Sequence, residues 1–297
     1  MRRVVLIVNP YSRGVTRRRV AEVTAALARR AEVVVRQTEY RGHATEMAAE
    51  AVGEADAVVV FSGDGTYNEA INGAAGELPF GFLPGGGASV FPRALGLPRD
   101  VVAAAVRIGA AIDEERTVSI GLGRVNGRRF CFSAGIGFDA EAVRRIENRG
   151  RDRDGRRAGN AIFAATVIGV LLEQRLRQPA QLEVDGYGRA AYLFVANGRP
   201  YTYAGPVSIT IAGEADFAGG LDFVAPKELR PSLAPRLALR GFRGTLVGHP
   251  LALSGHDLET LVVRCDRPLP LQADGEDLGD VTDARFEADR SALDVLL

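Results

Sequence analysis

The sequence predicts an α/β domain with a parallel sheet covered by helices on both faces, followed by a β-rich domain of sandwich or barrel type. Three observations predict this. Strand and helix patterns alternate as far as Ile112, an order that argues for a parallel sheet. From Thr117 the rhythm changes to short segments of alternating polarity, as in antiparallel sheets. The 297 residues also exceed one ordinary domain and accommodate two, each with its own core.

Taken in order, Val4 to Val8 reads as a strand, and Thr16 to Arg30 as an amphipathic helix with Val20, Val23 and Leu27 on one face. Glu32 to Arg36 is a second strand, and Ala44 to Ala55 a second helix with Met47, Ala48, Ala51 and Val52 inward. The apolar run Ala57 to Phe61 is a buried strand that breaks into Ser62-Gly63-Asp64-Gly65 and enters a helix. A strand near Phe80 to Leu83 breaks likewise, into Gly85-Gly86-Gly87, before a short helix, and Val101 to Ile112 is helical. The second part carries strand patterns at Val118 to Val125, Arg129 to Ser133, Gln181 to Val184, Ala190 to Ala196, Val207 to Ile211, Leu221 to Val224, Leu261 to Cys265 and Leu269 to Gln272. The expected domains are 1–120 and 121–283, the second interrupted by a helical insertion over about 139–177.

Bulk composition excludes several classes. The formal net charge is zero, so bulk nucleic-acid binding is not indicated. The two cysteines, Cys131 and Cys265, lie in strand-like contexts without metal spacing and read as buried thiols of a reducing compartment. The chain opens directly into a strand pattern, without a signal-peptide pattern. Its longest apolar run, Ala161 to Leu172, has 12 residues, short of the roughly 18 that a bilayer span needs. Lys227 is the single lysine, so a phosphate site here works without a P-loop lysine.

The chemistry concentrates at the carboxyl ends of the first strands, where ligands of open α/β sheets bind. Asn9, Thr38, Gly63 and Gly85 all fall at such ends. Gly63 and Gly65 allow close backbone approach at a positive helix N-terminus, which suits phosphate. Asp64 between them adds a carboxylate, which points to phosphoryl transfer rather than phosphate storage. Gly85-Gly86-Gly87 is either a second phosphate turn or a hinge. Asn9-Pro10-Tyr11-Ser12-Arg13-Gly14 can contact a nucleotide and is also good turn chemistry. Asp274-Gly275-Glu276 reads first as a hairpin turn, and as a catalytic pair only if it faces the glycine rim. Seven arginines between 144 and 157 precede the apolar stretch, a pattern shared by membrane-docking segments and by solvated loops.

These residues together resemble the diacylglycerol kinase catalytic-domain family, which includes bacterial soluble lipid kinases and the sphingosine and ceramide kinases. Its Gly-Gly-Asp-Gly-Thr-x-Asn-Glu hallmark is matched from Ser62 to Glu69, with Ser62 replacing the first glycine. Its opening Asn-Pro-x-Ser-Gly is similar to Asn9, Pro10 and Ser12, with Arg13 then Gly14 following. Thr38 with His43-Ala44, the segment Phe132 to Ala140, and Asp274-Gly275-Glu276 complete the series in order.

The resemblance implies an NAD-kinase- and diacylglycerol-kinase-like α/β domain that binds ATP, and a β-rich domain that binds lipid, with the active site in the cleft between them. A C-terminal segment, about 284–297, would return to the first domain. Glu276 would be the general base toward a lipid hydroxyl, with neighbouring Asp274 or burial tuning it. Gly63, Asp64, Gly65, Thr66, Asn68 and Glu69, with Asn9, Pro10, Ser12, Arg13, Thr38, Gly86 and Gly87, would hold the nucleotide and, through Mg²⁺ or water, its developing charge. Three departures stand out. Gly87 and Ser89 stand where relatives carry a hydroxyl and an amide, and Pro92 requires a short or late helix. Ala218-Gly219-Gly220-Leu221-Asp222 lacks the first carboxylate of a structural metal motif, so the expectation is that this metal is lost unless Asp216 substitutes.

The resemblance thus implies an ATP- and Mg²⁺-dependent kinase of a lipid alcohol, diacylglycerol above all, acting at the cytoplasmic face of a membrane. Peripheral membrane contact, no nucleic-acid partner, and a homodimer are the corresponding expectations for partners. A nicotinamide-dinucleotide-kinase-like enzyme, another small-alcohol kinase, and an inactive nucleotide or lipid sensor are the alternatives.

Overall fold

The computed structural model describes residues 2–87, 89–148, 169, 179–199, 202–204, 207–210, 212, 214–230, 232, 240 and 246–297. The chain divides into two units, Met1–Ile120 with Ser291–Leu297, and Gly121–Arg290.

The first unit runs β1 (Arg2–Val8), α1 (Arg17–Leu27), β2 (Ala31–Gln37), α2 (His43–Ala51), β3 (Ala57–Ser62), α3 (Asp64–Ala74), β4 (Phe80–Pro84), α4 (Val90–Ala94) and α5 (Val101–Asp113). Its strands pair in parallel in the order β2-β1-β3-β4, in registers such as Val4 opposite Val33 and Ala57. Every residue of β3 is buried, as are Val4 to Val8 of β1. That continuous burial is what helices on both faces of a parallel sheet produce, and it explains the unbroken valine runs. The C-terminal segment adds a further parallel contact, Val295 opposite Phe80. It places Leu293, Val295 and Leu296 in the core.

Two helices start on side-chain caps: Thr16 Oγ1 accepts from Arg19 N at 3.2 Å, and Asp100 Oδ1 from Ala103 N at 2.8 Å. Helices α2 and α3 approach each other at Gly73. A Cβ there would lie 2.2 Å from the Thr45 carbonyl oxygen, which belongs to rigid backbone. Gly73→Ala is therefore expected to destabilise the protein by about 1–3 kcal/mol, because the helices must separate, and denaturant unfolding measures it.

The second unit contains β5 (Thr117–Val125, beginning just before the boundary), β6 (Arg128–Phe130), β7 (Ser133–Ile136), α6 (Phe138–Asn148), β8 (Leu182–Val184), β9 (Gly188–Ala190) and β10 (Leu193–Ala196). It continues with β11 (Thr202–Ala204), β12 (Val207–Ile209), β13 (Leu221–Pro226), β14 (Ala252–Leu258), β15 (Thr260–Ala273) and β16 (Glu276–Leu296). Antiparallel pairing joins β14-β13-β10-β7-β15-β16 in that order, with β8 and β9 added on β15, while β11 and β12 form their own ribbon. Phe130, Ile136, Leu193, Val195, Phe223, Val263, Leu271 and Phe286 build its core.

Two strand expectations change. Leu261 to Cys265 and Leu269 to Gln272 belong to one strand, β15, whose register shifts between Arg264 and Leu269. Asp266-Arg267-Pro268 has the composition of a turn but is accommodated as an irregularity within the strand. The 21 residues of β16 carry many Asp, Glu and Arg side chains, so little apolar alternation marks them. Of the arginine-rich segment, Arg144 and Arg145 lie on α6, while Arg149, Arg151, Arg153, Arg156 and Arg157 lie outside the described residues. So does the rest of the expected insertion, 149–177, apart from Gly169. No described helix is long and apolar enough to cross a membrane.

Candidate active site

In the first unit three loops meet at the carboxyl ends of β1, β3 and β4. Gly14 N donates to Gly85 O, and Gly85 N donates to Ser62 O, each at 2.7 Å. A Cβ on Gly86 would lie 2.8 Å from Gly63 Cα, and one on Gly14 would lie 2.8 Å from Gly85 O. The glycines at these positions are thus dictated by backbone meeting backbone.

Side chains lock the same rim. Thr66 Oγ1 accepts from Asn9 Nδ2 at 3.0 Å and from Ser62 Oγ at 2.8 Å, and Ser12 Oγ lies 2.8 Å from Ser62 Oγ. Ser62, the residue that departs from the family's glycine, is the hub of this hydroxyl chain; its place in the motif marked it only as a mismatch. The Tyr67 hydroxyl lies 2.7 Å from the carbonyl oxygens of both Ser62 and Leu83, which ties β3 to β4. Burial holds this phenol well above its ordinary range, so it stays a neutral donor. Thr38 is buried, and its N–H donates to Val8 O at 2.9 Å, which sets it beside Asn9. Glu69 is half-buried on α3, whereas Pro10 and Arg13 are exposed. The N-terminus of α3 has no side-chain cap at Gly63.

Two expected nucleotide residues have structural partners of their own. The Asp64 carboxylate accepts from Val90 N at 3.1 Å and Phe91 N at 2.9 Å. It therefore caps α4: the carboxylate satisfies two amides of a five-residue helix whose third residue is Pro92. Asn68 is buried, and its Oδ1 accepts from Asn72 Nδ2 at 3.1 Å, a contact within α3. Gly86 N donates to Ser89 Oγ at 3.0 Å, with Ser89 in the left-handed region at φ 43°. Around Gly87 a Cβ would meet nothing within 4 Å.

In the second unit, β15 and β16 are joined by a two-residue hairpin at Asp274-Gly275, with φ of 48° and 77° and Ala273 paired with Glu276. Two left-handed residues in succession are what a tight type I′ turn requires, and Asp-Gly supplies them. The Asp274 carboxylate accepts from Cys131 N at 2.6 Å, Phe132 N at 2.9 Å and Ser133 N at 3.2 Å. Three amides thus fix the side chain and make it an anchor of the turn. The half-buried Glu276 is paired instead with Arg128, whose Nη2 donates to Oε2 at 2.6 Å. No motif marked Arg128 in the sequence.

The expected metal ligand Asp216 closes a local turn by accepting from Ala218 N at 3.0 Å. Nearby, buried Asp222 accepts from Asp257 N at 3.0 Å and lies 2.8 Å from His256 Nδ1. Its hydrogen bond and negative charge hold that imidazole above the usual histidine range. Among the described residues no three His, Cys, Asp or Glu side chains converge as a ligand set. The described residues fit a Mg²⁺ held mainly by substrate phosphates and water, as that cation usually is.

A parallel sheet with interlocked glycine loops at its carboxyl rim, followed by a β-rich unit, has the architecture in which open α/β domains bind ligands, with glycine turns of the kind that suit phosphate. Residues 3–124 match the diacylglycerol kinase catalytic domain, and this part of the chain belongs to that family. It is 28% identical over 233 residues to a Bacillus subtilis (strain 168) protein named diacylglycerol kinase, covering 76% of this chain and 69% of that one. It is 31% identical over 209 residues to a Streptococcus pneumoniae protein with a provisional lipid-kinase name, covering 66% of each. In fold it is similar to a crystal structure of a Bacillus anthracis diacylglycerol kinase, with a TM-score of 0.73 and 21% identity over 99% of this chain and 96% of the other.

Proposed function

We propose that this chain is an ATP-dependent lipid kinase that transfers the γ-phosphate to a lipid hydroxyl, most directly that of diacylglycerol, giving phosphatidic acid. The observation that carries the reading is Glu276. A hairpin anchored by Asp274 holds this carboxylate rigidly, in a chain whose other unit carries a glycine rim suited to phosphate.

The chemistry balances simply. Glu276 accepts the proton of the lipid hydroxyl as that oxygen forms its bond to the γ-phosphorus. The bond from phosphorus to the β,γ-bridging oxygen breaks, and ADP leaves with the electron pair. Arg128 fixes the base through Oε2. Backbone N–H groups at Gly63, Gly65 and Gly87 supply positive dipoles toward the phosphates, where positioning and electrostatics supply most of the rate. Mg²⁺ supplies charge neutralisation on the phosphates when bound. The acceptor is met at a membrane surface, because diacylglycerol resides there.

The experiment supplies ATP labelled in its γ-phosphate, with Mg²⁺, to mixed micelles of diacylglycerol, to a total lipid extract and to NAD. Label appearing in phosphatidic acid supports the reading, and label appearing only in another lipid moves the acceptor. Label in a nicotinamide dinucleotide, or in no product while ATP binds, overturns it in favour of the corresponding alternative. Because space is open around Gly87, Gly87→Thr would restore a hydroxyl at the rim. It is expected to tighten ATP binding by roughly fivefold to tenfold, the worth of one hydrogen bond of about 1 kcal/mol, read by calorimetric titration.

A further inference from the structure

We infer that Asp139 and Gln272 form a positioning pair that sets the hairpin turn carrying Glu276; the inference rests on the reading of Glu276 as the base. All the contacts lie in the second unit. Asp139 sits in the first turn of α6 and is 3% exposed, and Gln272, on β15, is 1% exposed. Gln272 Nε2 donates to Asp139 Oδ2 at 2.8 Å. The Oε1 of the same carboxamide accepts from Gly275 N at 3.0 Å. A carboxylate accepts and an N–H donates, so only one orientation of the amide serves both neighbours. One planar group therefore links the start of α6 to the backbone of the turn, one residue before Glu276.

The surroundings are shaped for this link. Gln272 lies opposite Gly135 in the pairing of β15 with β7. A Cβ on Gly135 would lie 2.5 Å and 2.6 Å from the two Asp139 carboxyl oxygens, so the glycine leaves the gap through which Asp139 reaches across the strand. Meanwhile Asp274, on the other side of the turn, is held by the amides of residues 131–133. The turn is thus clamped from both flanks, by Asp274 toward the 131–133 segment and by Gln272 toward α6.

Stability alone does not account for the pair. Asp139 Oδ1 is buried without a well-aligned hydrogen bond, and burial, opposed by Gln272 and the amides of Ala140 and Asp139, pushes this carboxyl up to about 7. Placing a carboxyl where one oxygen is unsatisfied costs folding free energy. Tyr192, whose phenol is raised by burial and by the Asp139 charge, is the other titratable group that senses it. Such a group is worth its cost where it holds the geometry of a reacting carboxylate, since small displacements of a base lower the rate steeply.

The test compares wild type with Gln272→Glu, Asp139→Asn and the double variant at pH 8. Two readouts are taken: kcat and KM per folded molecule in the labelled-ATP assay, and deuterium exchange at the amides of Gly275 and Glu276, which needs no activity. In Gln272→Glu two carboxylates face each other and the link breaks. Exchange at the turn should quicken and kcat should fall about tenfold to a hundredfold, with KM for ATP unchanged. Asp139→Asn keeps an acceptor for Gln272 and should stay within about threefold of wild type, less than the worth of one ordinary hydrogen bond. In the double variant the amide and the carboxylate exchange places. The amide now at position 139 can donate to the carboxylate now at position 272, whose other oxygen still accepts from Gly275 N. Recovery of kcat and slow exchange together would support the pair. Faster exchange with unchanged kcat would overturn the positioning role and leave a structural contact, and unchanged exchange would overturn the link itself. If wild type labels no lipid while Gln272→Glu quickens exchange, the lipid-kinase reading fails and the turn-holding link stands.

Discussion

Glu276→Gln is expected to lower kcat for phosphate transfer by about 10²- to 10⁴-fold, the range that a positioned general base contributes. The substitution keeps the side-chain shape and an oxygen that can accept from Arg128. It removes the capacity to take a proton. ATP affinity and thermal stability should change little, because the loops assigned to the nucleotide belong to the first unit and Glu276 to the second. The measurement is steady-state kinetics with calorimetric ATP binding on the same sample. A variant that retains more than a tenth of the wild-type kcat would remove Glu276 from the proton-transfer step.

Asp139→Asn is expected to abolish a loss of stability that wild type suffers between about pH 4 and pH 7. Burial raises the Asp139 carboxyl from 3.8 to about 7, so the folded protein binds this proton more tightly than the unfolded chain does. Its stabilising contribution is full below the unfolded value and is lost as pH rises through the folded value. At about 1.4 kcal/mol per pH unit the loss from this one group is bounded at roughly 4 kcal/mol. Denaturant unfolding at pH 5 and pH 8 measures it. The difference in stability between those pH values should be smaller in the variant, whereas equal differences in both proteins would show that the carboxyl ionises in the fold without penalty.

Much of the first unit is legible because its signals are local. Valine runs, glycine turns and helix periods each lie within a dozen residues and determine strands and helices directly. The glycines at 63, 85 and 86 announce close approach in the same way, and the hairpin at Asp274-Gly275 is a two-residue signal. What sequence does not display is the partner across space. Asp64 reads as an isolated carboxylate until Val90 and Phe91 are brought to it, 26 and 27 residues away. Arg128 and Glu276 are 148 residues apart, and Asp139 and Gln272 are 133 apart. Gln272 lies in an apolar strand, where one amide carries no pattern. Strand β16 escapes for a different reason: its charged residues pair with arginines in the fold, as Asp277 does with Arg144 at 2.8 Å, so polarity there marks ion pairs rather than a loop.

The parallel contact of Val295 with Phe80 has a consequence for synthesis on the ribosome. The sheet of the first unit receives its last member from the final seven residues of its second segment, Ser291–Leu297, after the whole second unit has been translated. While the intervening chain emerges, β4 presents an open edge of unpaired backbone groups beside a core lacking Leu293, Val295 and Leu296. Open edges of this kind recruit other strands, and nascent chains of multidomain proteins are exposed to that risk for seconds. The order of translation therefore starts the first unit before the second and closes it afterwards, so a ribosome stall before Ser291 would release an adhesive half-sheet.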